Sequence, residues 1–305
     1  MSKSNYIVLM LICTVLHSCA KKEIIDIPDP ANAPDISDVP SRFDQKILLE
    51  HFTSASCGTC PESNLLRDSM LSEYSGRFYE VSVHINDIMT DPASLSISSG
   101  RNFMDSIFNP SEIYPSGPVN RKASGLSDIL PDSWRDKLNS HLGNIPKCGL
   151  AMNAKTISGN QLFLEVHTGF AQNMFGDYRL HVYLVRDQVK SSDTLYAQMN
   201  DFSAMGANPD TNSYFYSFPP LLINYTHKNV FARIISSNGV SGDVIPSSMM
   251  VKNNVFVKTY SVDLSGIDYT KYHILAFVDK YGLTGTEHRI ENVQKVRIGE
   301  TKDWN

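Results

Sequence analysis

The chain has 305 residues, 42% hydrophobic, 19% charged and 10% aromatic, which excludes a disordered or collagen-like polypeptide. Its 27 lysines and arginines against 32 acids give a formal charge of −5, without the basic excess of a nucleic-acid binder. No apolar run reaches the roughly 18 residues of a membrane-spanning helix, and 5 cysteines are too few for a disulfide-built scaffold.

The first 45 residues read as an address. Lys3 supplies a positive start, and Tyr6 to Leu16 (YIVLMLICTVL) is an apolar run of 11 residues, the length of a signal-peptide core. Leu16-His17-Ser18-Cys19 resembles the bacterial lipobox, in which cleavage precedes a cysteine whose thiol carries the lipid; His17 departs from the usual small residue. The reading is a signal peptide over 1–18, lipid attachment at Cys19 and membrane association through that anchor. By resemblance to Gram-negative lipoproteins, Ala20 in place of an aspartate implies passage to the outer membrane of the cell envelope, facing the periplasm or the surface. The alternative is an ordinary secretory signal with an incidental Cys19. Across 19–45, Pro28, Pro30, Pro34 and Pro40 lie among aspartates and predict an extended tether. Ile24, Ile25 and Ile27 keep open a partly ordered strand packed on the first domain.

A first domain is expected over 46–145. Lys46 to Phe52 (KILLEHF) predicts a buried strand, and Thr53 to Ser56 a turn. Cys57-Gly58-Thr59-Cys60-Pro61 then opens a helix on which Leu66, Met70 and Tyr74 form one apolar stripe. Pro61 fits only the first helical turn, so Cys57 falls at or just before the helix start and Cys60 within its first turn. Phe78 to Ile85 predicts a second strand. Unpaired N–H groups and the positive helix end favour a thiolate at Cys57, the attacking species in disulfide exchange; Cys60 is placed to resolve the mixed disulfide.

This strand–CxxC–helix–strand order resembles the thioredoxin fold. Ile113 to Arg121 (IYPSGPVNR) sits where that fold places a cis-proline and the strand after it. The resemblance implies a cis bond before Pro115, and Tyr114 as the residue whose backbone pairs with a thiol-bearing peptide. Thioredoxins commonly carry a buried acid six residues before the first cysteine; here that position is His51, beside Glu50. His51 reads either as the base serving Cys60 or as a satisfied core residue, with Glu50 a paired strand carboxylate. LLEHFTSASCGTCPES, YPSGPVNR and a β-rich second half together resemble the outer membrane protein 28-related lipoproteins of Gram-negative bacteria, over about residues 46–300. That resemblance implies an architecture more than an activity.

Asn86 to Glu112 reads as an insertion with a helix over Gly100 to Phe108, either a cover for the site or a solvated loop. Asp132 to Leu142 predicts a closing helix with Asp132 as N-cap and Trp134, Leu138 and Leu142 as its buried stripe. From Pro146 the apolar period becomes two. Segments beginning at Cys148, Leu162, Arg179, Asn229, Val255, His273 and Asn292 predict seven or eight strands separated by turn signals. The expected fold is an α/β thioredoxin-like domain followed by an all-β immunoglobulin-like sandwich over 146–305. The aromatic-rich link Ser191 to Pro220 is either a binding edge or packing on its own sandwich. Cys148 reads as a core residue, with a third-thiol role as the alternative; Cys13 leaves with the signal.

No histidine pair at ligand spacing, second CxxC, phosphate loop or nucleophile elbow is present, so neither metal nor cofactor is expected. The leading reading is a lipid-anchored thiol–disulfide oxidoreductase. In it Cys57 attacks, Cys60 resolves and Pro115 presents the backbone of cysteine-containing envelope proteins or a redox partner protein. The alternative is a surface binding module for a protein or glycan, on a non-catalytic thioredoxin-like scaffold. A two-residue loop between cysteines gains little from closure entropy, which argues against a purely structural disulfide.

Overall fold

The computed structural model describes residues 36–91, 113–282 and 288–305. The signal peptide, Cys19, most of the tether and the helix expected over 100–108 lie outside the described residues. The end of the expected tether is inside the fold. Phe43 is buried against Ala151 and Trp304, and Trp304 donates its indole N–H to the Ser37 carbonyl at 2.7 Å.

β1 (Ile47–Thr53) and β2 (Phe78–His84) are parallel and buried at every position. Both faces are covered, so in β2 the apolar Tyr79, Val81 and Val83 and the polar Glu80, Ser82 and His84 that alternate with them are all buried. Between them α1 (Cys60–Glu73) crosses one face, and α2 (Pro131–Leu142) packs beside it. Ile47, Leu49, Met70, Phe78, Val119, Trp134 and Leu138 form the core of this layer. α2 corrects one expectation: Leu130 is the N-cap and Pro131 opens the helix, so Asp132 lies in the first turn rather than capping it. Proline's fixed φ and missing N–H suit the first helical position, and the acid still faces the positive helix end.

The later strands are β3 (Cys148–Ser158), β4 (Gln161–Phe170), β5 (Tyr178–Val189), β6 (Gln198–Met199), β7 (Leu221–Leu222) and β8 (His227–Ile234). They continue as β9 (Asp243–Val244), β10 (Val255–Asp263), β11 (Tyr272–Lys280), β12 (Arg289–Arg297) and β13 (Thr301–Lys302). A four-stranded antiparallel sheet runs β10-β4-β3-β13. Its inner face, with Leu150, Met152, Leu162, Leu164 and Val166, packs on Leu180, Val182, Ile274 and Ala276 of a second sheet. Cys148 is fully buried in that core, where burial and Glu291 push its thiol well up.

The second sheet corrects the expectation of an α/β domain followed by a separate sandwich. It is mixed and seven-stranded, in the order β1-β2-β8-β5-β11-β12 with β9 on β5, so both halves of the chain share it. The parallel contact of β2 with β8 is the join, at Ser82 and Val230. The sheet curls until its outer strands meet across Asn120. The Asn120 N–H donates to the Leu48 carbonyl at 2.7 Å, and the Asn120 carbonyl accepts from Ile290 N–H at 3.0 Å. Leu48, Phe52, Val81, Tyr183, Phe231, Leu275 and Phe277 fill the inside of the curl. A β-sheet edge left open exposes unpaired backbone groups, and Asn120 closes this one. Among the described residues the fold is thus mostly β, with one curled mixed sheet and few helices.

Candidate functional site

β1 delivers the chain to a tight turn at the start of α1. Cys57 N–H donates to the Ser54 carbonyl at 3.1 Å, and Cys60 N–H to the Cys57 carbonyl at 3.2 Å. Thr59 is the N-cap, and Pro61 is buried in the first turn, so α1 begins at Cys60. Cys57 and Cys60 form a disulfide with Cα atoms 5.4 Å apart. Cys60 is fully buried, whereas Cys57 is only half-buried. Cys57 is therefore the more accessible of the two.

The Tyr114–Pro115 bond is cis. The next residue, Ser116, exchanges two backbone hydrogen bonds with Phe52 near the end of β1, at 2.8 and 3.2 Å. Tyr114 shares a pocket of about 460 Å³ with Ser56, Cys57, Gly58, Thr59 and Asn86. The chain thus brings Cys57, Cys60 and the Tyr114–Pro115 turn to one end of β1.

His51 lies beneath this turn, fully buried, with its ring edge-on to Trp134 at 5.0 Å. Its Nε2 is 3.4 Å from the Ser63 hydroxyl, which donates to the Cys60 carbonyl at 2.8 Å. Its Nδ1 is 3.5 Å from Glu80 Oε1. Burial lowers the His51 pKa against the opposing pull of Glu80, so the imidazole is neutral near pH 7. Burial alone would raise the Glu80 carboxyl, but Arg67 and His51 outweigh it and the carboxylate is retained. Arg67 donates to Ser82 at 3.0 Å, Ser82 donates to Glu80 at 2.5 Å, and Asn229 donates to Glu80 at 2.9 Å. A buried polar network therefore runs from β2 to the backbone of Cys60. Sequence reasoning found His51 but missed Glu80 and Arg67. The signal was a charge inside each apolar pattern: Glu80 within FYEVSVH, and Arg67 three positions before Met70 on the buried face of α1.

Glu50 points to the other side of β1. It meets Arg121 inside the curled sheet, and Arg121 also donates to Asp279 at 2.9 Å and to the Tyr183 hydroxyl at 3.0 Å. Asn120 and Arg121 both take positive φ, 51° and 53°, which turns the chain after the Pro115 loop and sends Arg121 inward.

The long link after β5 has a different role from a sandwich edge. It crosses to the cysteine turn and fills its carbonyls. Met199 N–H donates to Ala55 O at 2.8 Å, Asp201 N–H to Gly58 O at 2.9 Å, and Gln198 Nε2 to Cys57 O at 2.8 Å. Ser213 hydrogen-bonds Glu62 in the first turn of α1. These donors come from residues some 140 positions away, so no local pattern could disclose them.

Residues 104–302 match the family model for "Outer membrane protein Omp28". The chain belongs to the Omp28 family. That membership places the protein at the outer membrane of the cell envelope. The matched segment includes the Tyr114–Pro115 loop, Arg121 and the link after β5, but begins after the two cysteines of the turn. Among solved structures, HBP35 of Porphyromonas gingivalis is 19% identical over 86% of this Omp28-family chain and 77% of its own, with a TM-score of 0.61, which shows a shared fold. A protein from Agrobacterium tumefaciens is 12% identical over 86% of this chain and 98% of its own, with a TM-score of 0.48. A domain of the outer membrane lipoprotein Omp28 from Porphyromonas gingivalis is 16% identical over 51% of this chain and 90% of its own, with a TM-score of 0.29. No curated protein sequence matches the chain.

Proposed function

We propose that this Omp28-family protein is a thiol–disulfide oxidoreductase of the outer envelope, acting on cysteine-bearing envelope proteins. One observation carries the reading: a Cys57–Cys60 disulfide at the start of α1, with the outer sulfur in a pocket and the inner one buried. The parallel β1–α1–β2 unit and the cis bond before Pro115 support a thioredoxin-like reading of this part of the chain.

The geometry supports the following exchange. A partner thiolate attacks Cys57 Sγ, the Cys57–Cys60 bond breaks, and Cys60 leaves with the electron pair. A second partner thiolate then attacks the partner sulfur bonded to Cys57, which leaves as a thiolate. The partner gains a disulfide, and the protein holds two thiols after taking up protons. Run in reverse, Cys57 attacks a partner disulfide and Cys60 resolves the intermediate. Tyr114, which lines the same pocket as Cys57, is where the partner's chain would lie. Cys60 has no solvent around it, so its proton must come and go through protein groups. Neutral His51, linked to the Cys60 backbone through Ser63, is the base assigned to this step.

The test is capture. Cys60→Ser in cells should accumulate mixed disulfides on Cys57, released by reductant, while Cys57→Ser should accumulate none. Absence of trapped partners with Cys60→Ser, together with a disulfide inert to thiols, would sink the reading.

A second reading rests on a separate observation. The link after β5 exposes Met205 at 77% and Tyr214 at 63%, with Tyr214, Phe215 and Phe218 clustered. In that reading the link binds a protein or glycan, and the disulfide only braces the turn beneath it. Serine at Met205 and Tyr214 would then abolish the cellular role while leaving thiol exchange intact.

A further inference from the structure

Gly58 lies between the two cysteines, and the half-buried Asp201 stands directly on it. A Cβ added to Gly58 would collide with Cγ and both oxygens of the Asp201 carboxylate. The link holds that carboxylate in place through its backbone. Asp201 N–H donates to Gly58 O at 2.9 Å, and the Asp201 carbonyl accepts from Asn208 N–H at 2.8 Å. Gly206 allows a close fold behind it, since a Cβ there would meet the Asp201 carbonyl. The second half of the chain thus delivers a fixed carboxylate to the dipeptide of the CxxC.

A carboxylate here opposes the end of α1. The helix start favours negative charge on Cys57, and Asp201 disfavours it. The other ionisable groups around the turn are already engaged. Glu62 in the first turn of α1 is bonded by Ser213. Asp87, behind Ala55, is paired with His84 at 2.6 Å and receives the Ala55 N–H at 2.8 Å. Tyr114 lines the same pocket, and His51 is buried against Trp134.

We propose that Asp201 is a positioning residue that sets the reduction equilibrium of the Cys57–Cys60 pair, by holding a negative charge against Gly58 and limiting thiolate formation at Cys57. This rests on the redox reading above and assigns the tuning to a segment remote in sequence. The balanced step is reduction by a thiol. Two glutathione thiols lose two electrons and two protons and join as a disulfide, while the Cys57–Cys60 bond breaks to two thiols. Above the ionisation of Cys57 the protein keeps one proton fewer, and it is there that the Asp201 charge acts fully.

The experiment compares the protein with Asp201→Asn and Asp201→Glu. The Cys57 alkylation rate of the reduced proteins is followed against pH. The reduced fraction is followed in graded glutathione at pH 8, and in dithiothreitol if the pair is too stable for glutathione. A charge several ångströms away in a partly exposed site moves an ionisation by roughly half to one pH unit. Asp201→Asn should lower the midpoint of the alkylation profile by that amount. It should also shift the equilibrium toward the dithiol by roughly three- to tenfold, or about 15–30 mV for a two-electron couple. Asp201→Glu should stay within about twofold of the parent, and 1 M salt should shrink the parent–Asn difference by screening. Identical midpoints and equilibria in the parent and Asp201→Asn would overturn the proposal. Because dithiothreitol gives the same comparison when glutathione fails, that outcome is distinct from failure of the oxidoreductase reading, which the Cys60→Ser trap decides.

Discussion

Arg121 grips Glu50 with two parallel hydrogen bonds, Nε to Oε2 at 2.6 Å and Nη2 to Oε1 at 2.7 Å, inside the curled sheet. Glu50 comes from β1, and Arg121 from just beyond the Pro115 loop. The same guanidinium reaches Asp279 of β11, so one cation ties the cysteine-bearing part of the fold to the C-terminal strands. Burial alone would lower the guanidinium pKa, but Glu50 and its other neighbours more than offset it, so the charge is permanent.

The first prediction follows. Arg121→Met removes one cation from among two buried carboxylates. Breaking such a pair from one side costs roughly 3–5 kcal/mol, because the remaining charge is left uncompensated. Denaturant unfolding at pH 7 should show that loss, and a change below about 1 kcal/mol would count against this role.

The second concerns the layer under the helices. Trp134 is fully buried, donates its indole N–H to Gly117 O at 2.9 Å and touches His51. Trp134→Ala empties the largest side chain of that layer, and such truncations cost roughly 3–5 kcal/mol. A mild Trp134→Phe loss would separate the cavity from the hydrogen bond.

The third addresses the proton of Cys60. General acid–base groups are worth roughly 100-fold or more in rate. His51→Asn should therefore slow resolution of a Cys57 mixed disulfide by about that factor near neutral pH, in rapid-mixing experiments. First attack on Cys57 should change far less. Equal slowing of both steps would make His51 only a packing residue.

The fourth is a pH dependence. Burial holds His141 and His227 down to about 4, against about 6.5 in an unfolded chain. Both are neutral in the fold, so between pH 6.5 and 4 the unfolded chain binds more protons and stability falls as pH falls. At pH 5 each contributes a loss of about 2 kcal/mol. Melting temperature should drop from pH 7 to pH 5, and His141→Gln with His227→Gln should flatten that drop.

The fifth tests the fit of the link on the turn. Gly58→Ala places a methyl group where the Asp201 carboxylate stands. Limited proteolysis between residues 197 and 222 should quicken, and adding Asp201→Gly should restore protection. Protection unchanged in the single variant would show that the link does not rest on Gly58.

How much of this was legible depended on the range of the interaction. Pro61 could only open a helix, so the placement of both cysteines followed from local sterics, as did the strands on either side. Glu80 and Arg67 were visible only as charges in apolar patterns, because their partners lie on another element. Asp132 looked like a cap because it is a capping residue type, but Pro131 decided the helix start. Asp201 carried no local signal.

By itself, the sequence determined the elements that local forces govern: the CxxC at a helix start, two apolar strands around it, and the period-two strands after residue 146. Only the tertiary structure decided that the two strands around the CxxC share one sheet with β5, β8, β9, β11 and β12 of the second half, closed at Asn120 and locked by Arg121. It also decided that a link from the second half would cover the cysteine turn. The physical reason is that backbone preferences act over a few residues, whereas sheet pairing, buried ion pairs and a carboxylate on a distant glycine depend on where the whole chain brings them together.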